Sequence, residues 1–107
     1  MERNYVKDLK SGESVLLKGW IFEIRSLAKL KFIVLRDVSG MVQCVVNDSK
    51  LFEKVDNLSL ESVVEIKGKV KKANVKAEFV RNDVEIEVHE INILNKAESL
   101  PILVNEK

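Results

Sequence analysis

Apolar and polar residues alternate along most of this chain, and the points where the alternation breaks mark its elements. In residues 30–37, Ile33 and Leu35 fall on one face and Phe32, Val34 and Arg36 on the other. Val38-Ser39-Gly40 follows as a turn, and residues 41–47 resume the pattern. There Val42, Cys44 and Val46 form an apolar face, while Gln43 points the opposite way between Met41 and Val45. The two runs read as a hairpin whose first face closes a core.

The rest of the chain is organised around that hairpin. Residues 1–12 are polar, with Tyr5, Val6 and Leu9 spaced like a short capping turn that Gly12 ends. From Ser14 to Ile24 the β-branched and aromatic content favours one long strand over a helix. Gly19 within it predicts a bulge or sharp bend, as at a barrel corner, and a bulge would switch the inward-facing parity. Asn47-Asp48-Ser49 supplies helix-capping residues, and Leu51, Phe52, Val55 and Leu58 lie at helical spacing, so a short helix is expected over 49–57. Residues 61–70 return to alternation, with Val64, Ile66, Gly68 and Val70 on one side. Residues 71–83 read as a long polar, basic loop. Val84, Ile86 and Val88 then alternate with Glu85, Glu87 and His89 in a last strand that changes phase near Glu90. After Ala97 an extended tail holds the single proline, Pro101.

Strand, strand, strand, helix, strand, strand is the order of the OB-fold. The expectation is therefore an all-β domain over residues 1–96, a five-stranded Greek-key barrel with one short helix between strands 3 and 4, followed by a tail over 97–107. A ferredoxin-like order would need a second crossover helix. In OB-folds, strands 2 and 3 with the first-to-second and fourth-to-fifth loops form the usual oligonucleotide face.

Composition narrows the picture. A chain of 107 residues with 46% apolar content is one domain with one core, too short for a two-domain enzyme. Its 18 basic and 17 acidic residues leave a net charge of +1, which argues against a broad phosphate-coating surface but leaves a local patch open. Basic residues do gather near the expected face: Arg25, Lys29 and Lys31 at one place, and Lys67, Lys69, Lys71, Lys72, Lys76 and Arg81 at the other. One cysteine forms no internal disulfide, no apolar run is long enough to span a membrane, and the N-terminus is too polar for a secretory signal. A cytoplasmic setting is the default.

The outward face of the hairpin carries an aromatic ring (Phe32), a guanidinium (Arg36) and an amide (Gln43), the groups with which a sheet stacks a base and reads its edge. Each also has a plainer reading. Phe32 serves equally as an edge-packed aromatic, and Gln43 alone is unremarkable. The pair Arg36-Asp37 before a turn is more often structural. Lysine runs also protect strand edges from pairing. His89 has no Cys or second His at metal spacing, so no metal site is expected. Cys44 reads as a small core residue and Trp20 as core or interface. No phosphate-cradling glycine loop and no nucleophile–base arrangement can be assembled, so no cofactor is expected.

The stretch GWIFEIRSLAKLKFIVLRDVSGMVQCVV resembles the anticodon-binding domain of class II aspartyl- and asparaginyl-tRNA synthetases. Gly19-Trp20, Phe32-Ile33, Leu35-Arg36-Asp37 and Val42-Gln43 match that family. Leu60-Glu61-Ser62-Val63-Val64 and Val84-Glu85-Ile86-Glu87-Val88 match it as well, and Ser99 to Val104 looks like its link to the catalytic domain. The resemblance covers nearly the whole chain. One departure is Ala28, where the family usually has Gly; if that position needs a positive φ, Ala is strained there.

What the resemblance implies is tRNA binding through the anticodon stem-loop. Phe32 matches the aromatic that stacks on an anticodon base, and Gln43 the glutamine that reads the middle uridine. Arg25 matches an arginine on the stem-loop, and Glu87 a glutamate near the first anticodon base. With Lys29, Lys31, Lys71, Lys72 and Lys76 these form the expected nucleic-acid site. Aspartate and asparagine families share the middle uridine. The three class II motifs for ATP and amino acid are absent from these 107 residues, so aminoacylation by the chain alone is not expected. The expected partners are tRNA or other single-stranded RNA, no membrane, and a synthetase catalytic domain or a second copy of the chain. Two alternatives stand beside this reading: a general single-stranded nucleic-acid binder, and a protein-interaction module that docks through the Trp20/Phe22 strand.

Overall fold

The strand β1 (Ser14–Ser26) closes the barrel because it serves two neighbours. Its first half pairs antiparallel with β4 (Val63–Lys72), from Ser14 opposite Lys69 to Trp20 opposite Val63. Its second half pairs with β2 (Lys31–Asp37), from Trp20 opposite Arg36 to Ser26 opposite Lys31. β3 (Gly40–Val46) continues antiparallel from β2, and β5 (Val84–Asn95) runs antiparallel to β4. The ring is completed by a short parallel pairing of β3 with β5, at Cys44 opposite Ile86 and Val45 opposite Glu87. The order β1-β2-β3-β5-β4 is a closed barrel, and with the helix α1 (Phe52–Asp56) between β3 and β4 it is the expected OB-fold. Among the described residues each of the five strands has a neighbour on both sides. The structure is a computed structural model and describes residues 2–95; the tail expected over 97–107, with Pro101, lies outside the described residues.

Alternation dictates the core. Ile33 and Leu35 from β2, Val42, Cys44 and Val46 from β3, and Val64 and Ile66 from β4 are all sealed from solvent. In β1 the inward residues are Val15, Leu17 and Ile21 up to the register shift between Ile21 and Glu23, after which Ile24 packs inward. The parity switch is thus a bulge at Phe22. Gly19 has a different role, since a Cβ there would run into the backbone carbonyl of Arg36. The phase change near Glu90 is also a bulge: Gly68 lies opposite Val88 and Lys67 opposite Glu90, which leaves His89 as the extra residue. Burial and the nearby Glu85 carboxylate push the Cys44 thiol far above its usual pKa, as befits an inert core residue.

Local chemistry fixes the ends of the elements. The capping turn near the N-terminus is a 3-10 turn, Val6–Asp8, with Val6 and Leu9 buried beneath it. The side chain of Asp48 accepts from the Lys50 N–H at 3.0 Å and starts a second 3-10 turn, Ser49–Leu51, that leads into α1. β4 begins later than the alternation suggests because residues 61–62 first bond to β1 at Ile21. The Glu61 N–H donates to the Ile21 carbonyl and the Ile21 N–H to the Ser62 carbonyl, both at 2.9 Å, with Glu61 at φ 71°. Asp37 is buried and structural. It accepts from the Val6 N–H at 2.9 Å, the Ser39 N–H at 2.7 Å, the Ser39 hydroxyl at 2.6 Å and the Gly40 N–H at 3.1 Å. Ala28 is not among the described residues with positive φ, so the β1–β2 loop takes Ala without that strain.

Candidate nucleic-acid interface

The outer face of β1, β2 and β3 is laid out in cross-strand rows. One row runs Arg25, Phe32, Val45 and on to Glu87 of β5. The next runs Glu23, Val34 and Gln43, which sets Gln43 diagonal to Phe32. A third runs Trp20, Arg36 and Met41. Arg25, Phe32, Gln43 and Glu87, four widely spaced sequence positions, therefore share one surface. Phe32 and Gln43 are half-buried rather than swallowed by the core.

The β4–β5 loop, residues 73–83, rises beside this face. The Ala73 N–H donates to Asp83 and the Val75 N–H to Asn82, both at 3.1 Å, so the loop is a narrow ribbon. Its tip is tied to β3 by the Arg81 N–H, which donates to the Met41 carbonyl at 2.9 Å, and by a bridge between Met41 and Val80. Between loop and sheet lies a cleft of about 600 Å³. Phe22, Arg25, Phe32 and Gln43 line it from the sheet, and Asn74, Lys76 and Phe79 from the loop. Among the described residues, no group of His, Cys, Asp and Glu is arranged to hold a metal ion, and no helix is long and apolar enough to cross a membrane.

The structure divides the expected cations. Arg25 stays largely exposed while its Nε donates to Glu23 at 2.6 Å. Lys29 is exposed in the β1–β2 loop, and Lys76 lines the cleft. Lys71 sits 3.1 Å from Glu87, whose carboxyl is held below the usual glutamate value first by its bond with His89 and then by Lys71. Lys72 lies toward a separate depression beside Leu9, Lys10 and Asp83. Lys31 is a correction to the expected site. It shares the inward parity of Ile33, is 8% exposed, and places its Nζ 2.8 Å from Asp56 and over the Phe52 ring. It anchors the helix and is not presented to a ligand. Arg81, grouped with the basic rim on sequence, instead donates to the carbonyls of Val6 at 2.7 Å and Leu9 at 3.3 Å and chelates Asp83. Arg36 lies over the Trp20 ring, 5.6 Å from its centre, and half-covers it on the outside of the barrel.

One lining residue escaped the sequence reading. Phe79 stands 85% exposed at the loop tip with φ 64°. The available signal was a lone aromatic in a charged loop, without a periodic partner to pair it with a core face.

A closed OB barrel with an aromatic, amide-bearing outer face defines a nucleic-acid-binding class of domain. The chain belongs to the tRNA anticodon family described as the OB-fold nucleic acid binding domain, which matches residues 15–94. It is 44% identical over 99 residues to an aspartate–tRNA ligase of Lactobacillus johnsonii, a match that covers 89% of this chain and 16% of that protein. It is 45% identical over 101 residues to an aspartate–tRNA(Asp/Asn) ligase of Methanococcus vannielii, covering 90% of this chain and 22% of that one. Among solved structures it is similar to the asparaginyl-tRNA synthetase of Pyrococcus horikoshii complexed with asparaginyl-adenylate, with a TM-score of 0.80, 28% identity, and coverage of 95% of this chain and 24% of that chain. The chain thus spans under a quarter of the length of these relatives.

Proposed function

We propose that this domain binds tRNA through the anticodon stem-loop, with one base stacked on Phe32 and the middle uridine read by Gln43. The supporting observation is that Phe32 and Gln43 are diagonal neighbours on one outer face and line a single cleft. The Gln43 amide offers one donor and one acceptor, which match the edge of a uracil. Arg25, Lys29 and Lys76 attract the phosphates around it and make affinity fall with salt. Lys72 has a peripheral share, and Lys71 contributes through its pair with Glu87, which then exchanges partners to meet the first anticodon base. In this reading the domain recognises tRNA in the cytoplasm for an aminoacylating domain of the aspartate or asparagine type and does not aminoacylate by itself. A second copy of the chain is not required, since the cleft is built from one.

The test is a binding panel of anticodon stem-loops that differ at the middle base, titrated at two salt concentrations. The parent prefers uridine there. Phe32→Ala weakens every hairpin by a factor of about 5 to 100, the worth of one base–aromatic stack. Gln43→Ala chiefly removes the preference for uridine. Parent-like titration by both variants overturns the assigned site, and equal affinity for oligo-dT reduces the domain to a general single-strand binder.

A further inference from the structure

We propose that Phe79 is a second stacking platform of the same cleft, holding the nucleobase next to the one on Phe32. This rests on the nucleic-acid reading above and adds a residue to it. The first observation is conformational. An L-residue with a Cβ at φ 64° carries a steric cost, and a bulky residue there is an outlier in need of a cause. Glu61 shows what such a cause looks like, since its φ of 71° goes with its own hydrogen bond to the Ile21 carbonyl of β1. At Phe79 the ring is 85% exposed, so burial of the side chain does not offset the cost.

The second observation is the fastening of the loop on which it stands. Val75 is buried, Val80 bridges to Met41, and the Arg81 guanidinium is fastened to the carbonyls of Val6 and Leu9. The strained residue is therefore held out by a fixed scaffold, and its ring borders the cleft that Phe32 and Phe22 line from the sheet. A single exposed aromatic means little on its own. An aromatic in a left-handed conformation, braced on both sides and set across a cleft from another ring, has the form of a base-stacking wall. The charges of the cleft agree with a base as its occupant. Glu78 lies in the lining and disfavours phosphate, Glu23 is paired with Arg25, and Lys76 is there to receive the backbone.

The experiment uses the 107-residue chain and an anticodon hairpin with a central uridine, carrying 2-aminopurine at the loop position beside that uridine. Stacking on an aromatic ring quenches that probe. Phe79→Ala is expected to weaken the hairpin by a factor of about 5 to 100, and Phe79→Tyr to stay within about twofold of the parent. Phe79→Ala restores the fluorescence of this probe, whereas Phe32→Ala at saturating protein leaves it quenched. Phe79→Gly loses the same affinity without a lower melting temperature, because glycine accepts the positive φ. If Phe79→Ala binds like the parent and the probe stays quenched, while Phe32→Ala weakens binding, this inference falls and the preceding one stands. If the parent binds no hairpin, both fall.

Discussion

Lys31 and Asp56 join the helix to the barrel: the Nζ of Lys31 lies 2.8 Å from the Asp56 carboxylate and 5.2 Å from the centre of the Phe52 ring. The lysine is mostly covered and its partner is half open to water, so the pair is only partly screened. Lys31→Ala is expected to cost about 1–2 kcal/mol from the lost ion pair and ring contact together. Chemical denaturation reads that loss. The salt dependence of RNA binding by the same variant stays at the parent slope, because Lys31 does not meet phosphate.

A larger loss is expected at Asp37. Its two oxygens serve three backbone N–H groups and one hydroxyl, and they tie the β2–β3 turn to the N-terminal 3-10 turn. Asp37→Ala orphans the Val6 donor and loosens the turn, for about 2–4 kcal/mol. Thermal melting measures it, and Asp37→Asn recovers a part, since an amide oxygen still accepts.

Glu87 shares in the pH response of the exposed surface with Asp83 and Glu90, whose carboxyls are also held low. Its bond with His89, and after that its pair with Lys71, depress its folded-state pKa. A carboxylate of this kind contributes its stabilisation above the ordinary glutamate pKa, and the contribution is lost as pH falls through the depressed value. An NMR titration of the Glu87 carboxyl is expected to show ionisation below the ordinary value. His89→Ala returns the midpoint upward by more than Lys71→Ala does. An unchanged midpoint in both variants would mean that neither pair persists in solution.

The barrel was legible in the sequence because alternation is a local signal. Ile33, Leu35, Val42, Cys44 and Val46 announce their face two residues at a time, and the broken period near Glu90 foretold the bulge that the structure centres on His89. The bulge at Phe22 was not legible, since the adjoining run of Trp20, Ile21 and Phe22 is apolar throughout and carries no parity. Lys31 stands at the inward parity of Ile33 and Leu35, so its spacing foretells its burial where its charge does not. Arg81 and Phe79 depended on the path of the 73–83 loop, which long-range contacts with Met41, Val6 and Leu9 decide and no local pattern encodes.

The seam between β3 and β5 gives the domain its direction of give. Most of the wall is laced by long antiparallel ladders, whereas this join is fastened at Cys44–Ile86 and Val45–Glu87. Thermal breathing concentrates where the rungs are fewest, so amide protons along this join trade with deuterium before those shared by β4 and β5. Because Val45 stands beside Phe32 in the neighbouring strand, the part of the wall that yields first is a flank of the reading surface itself.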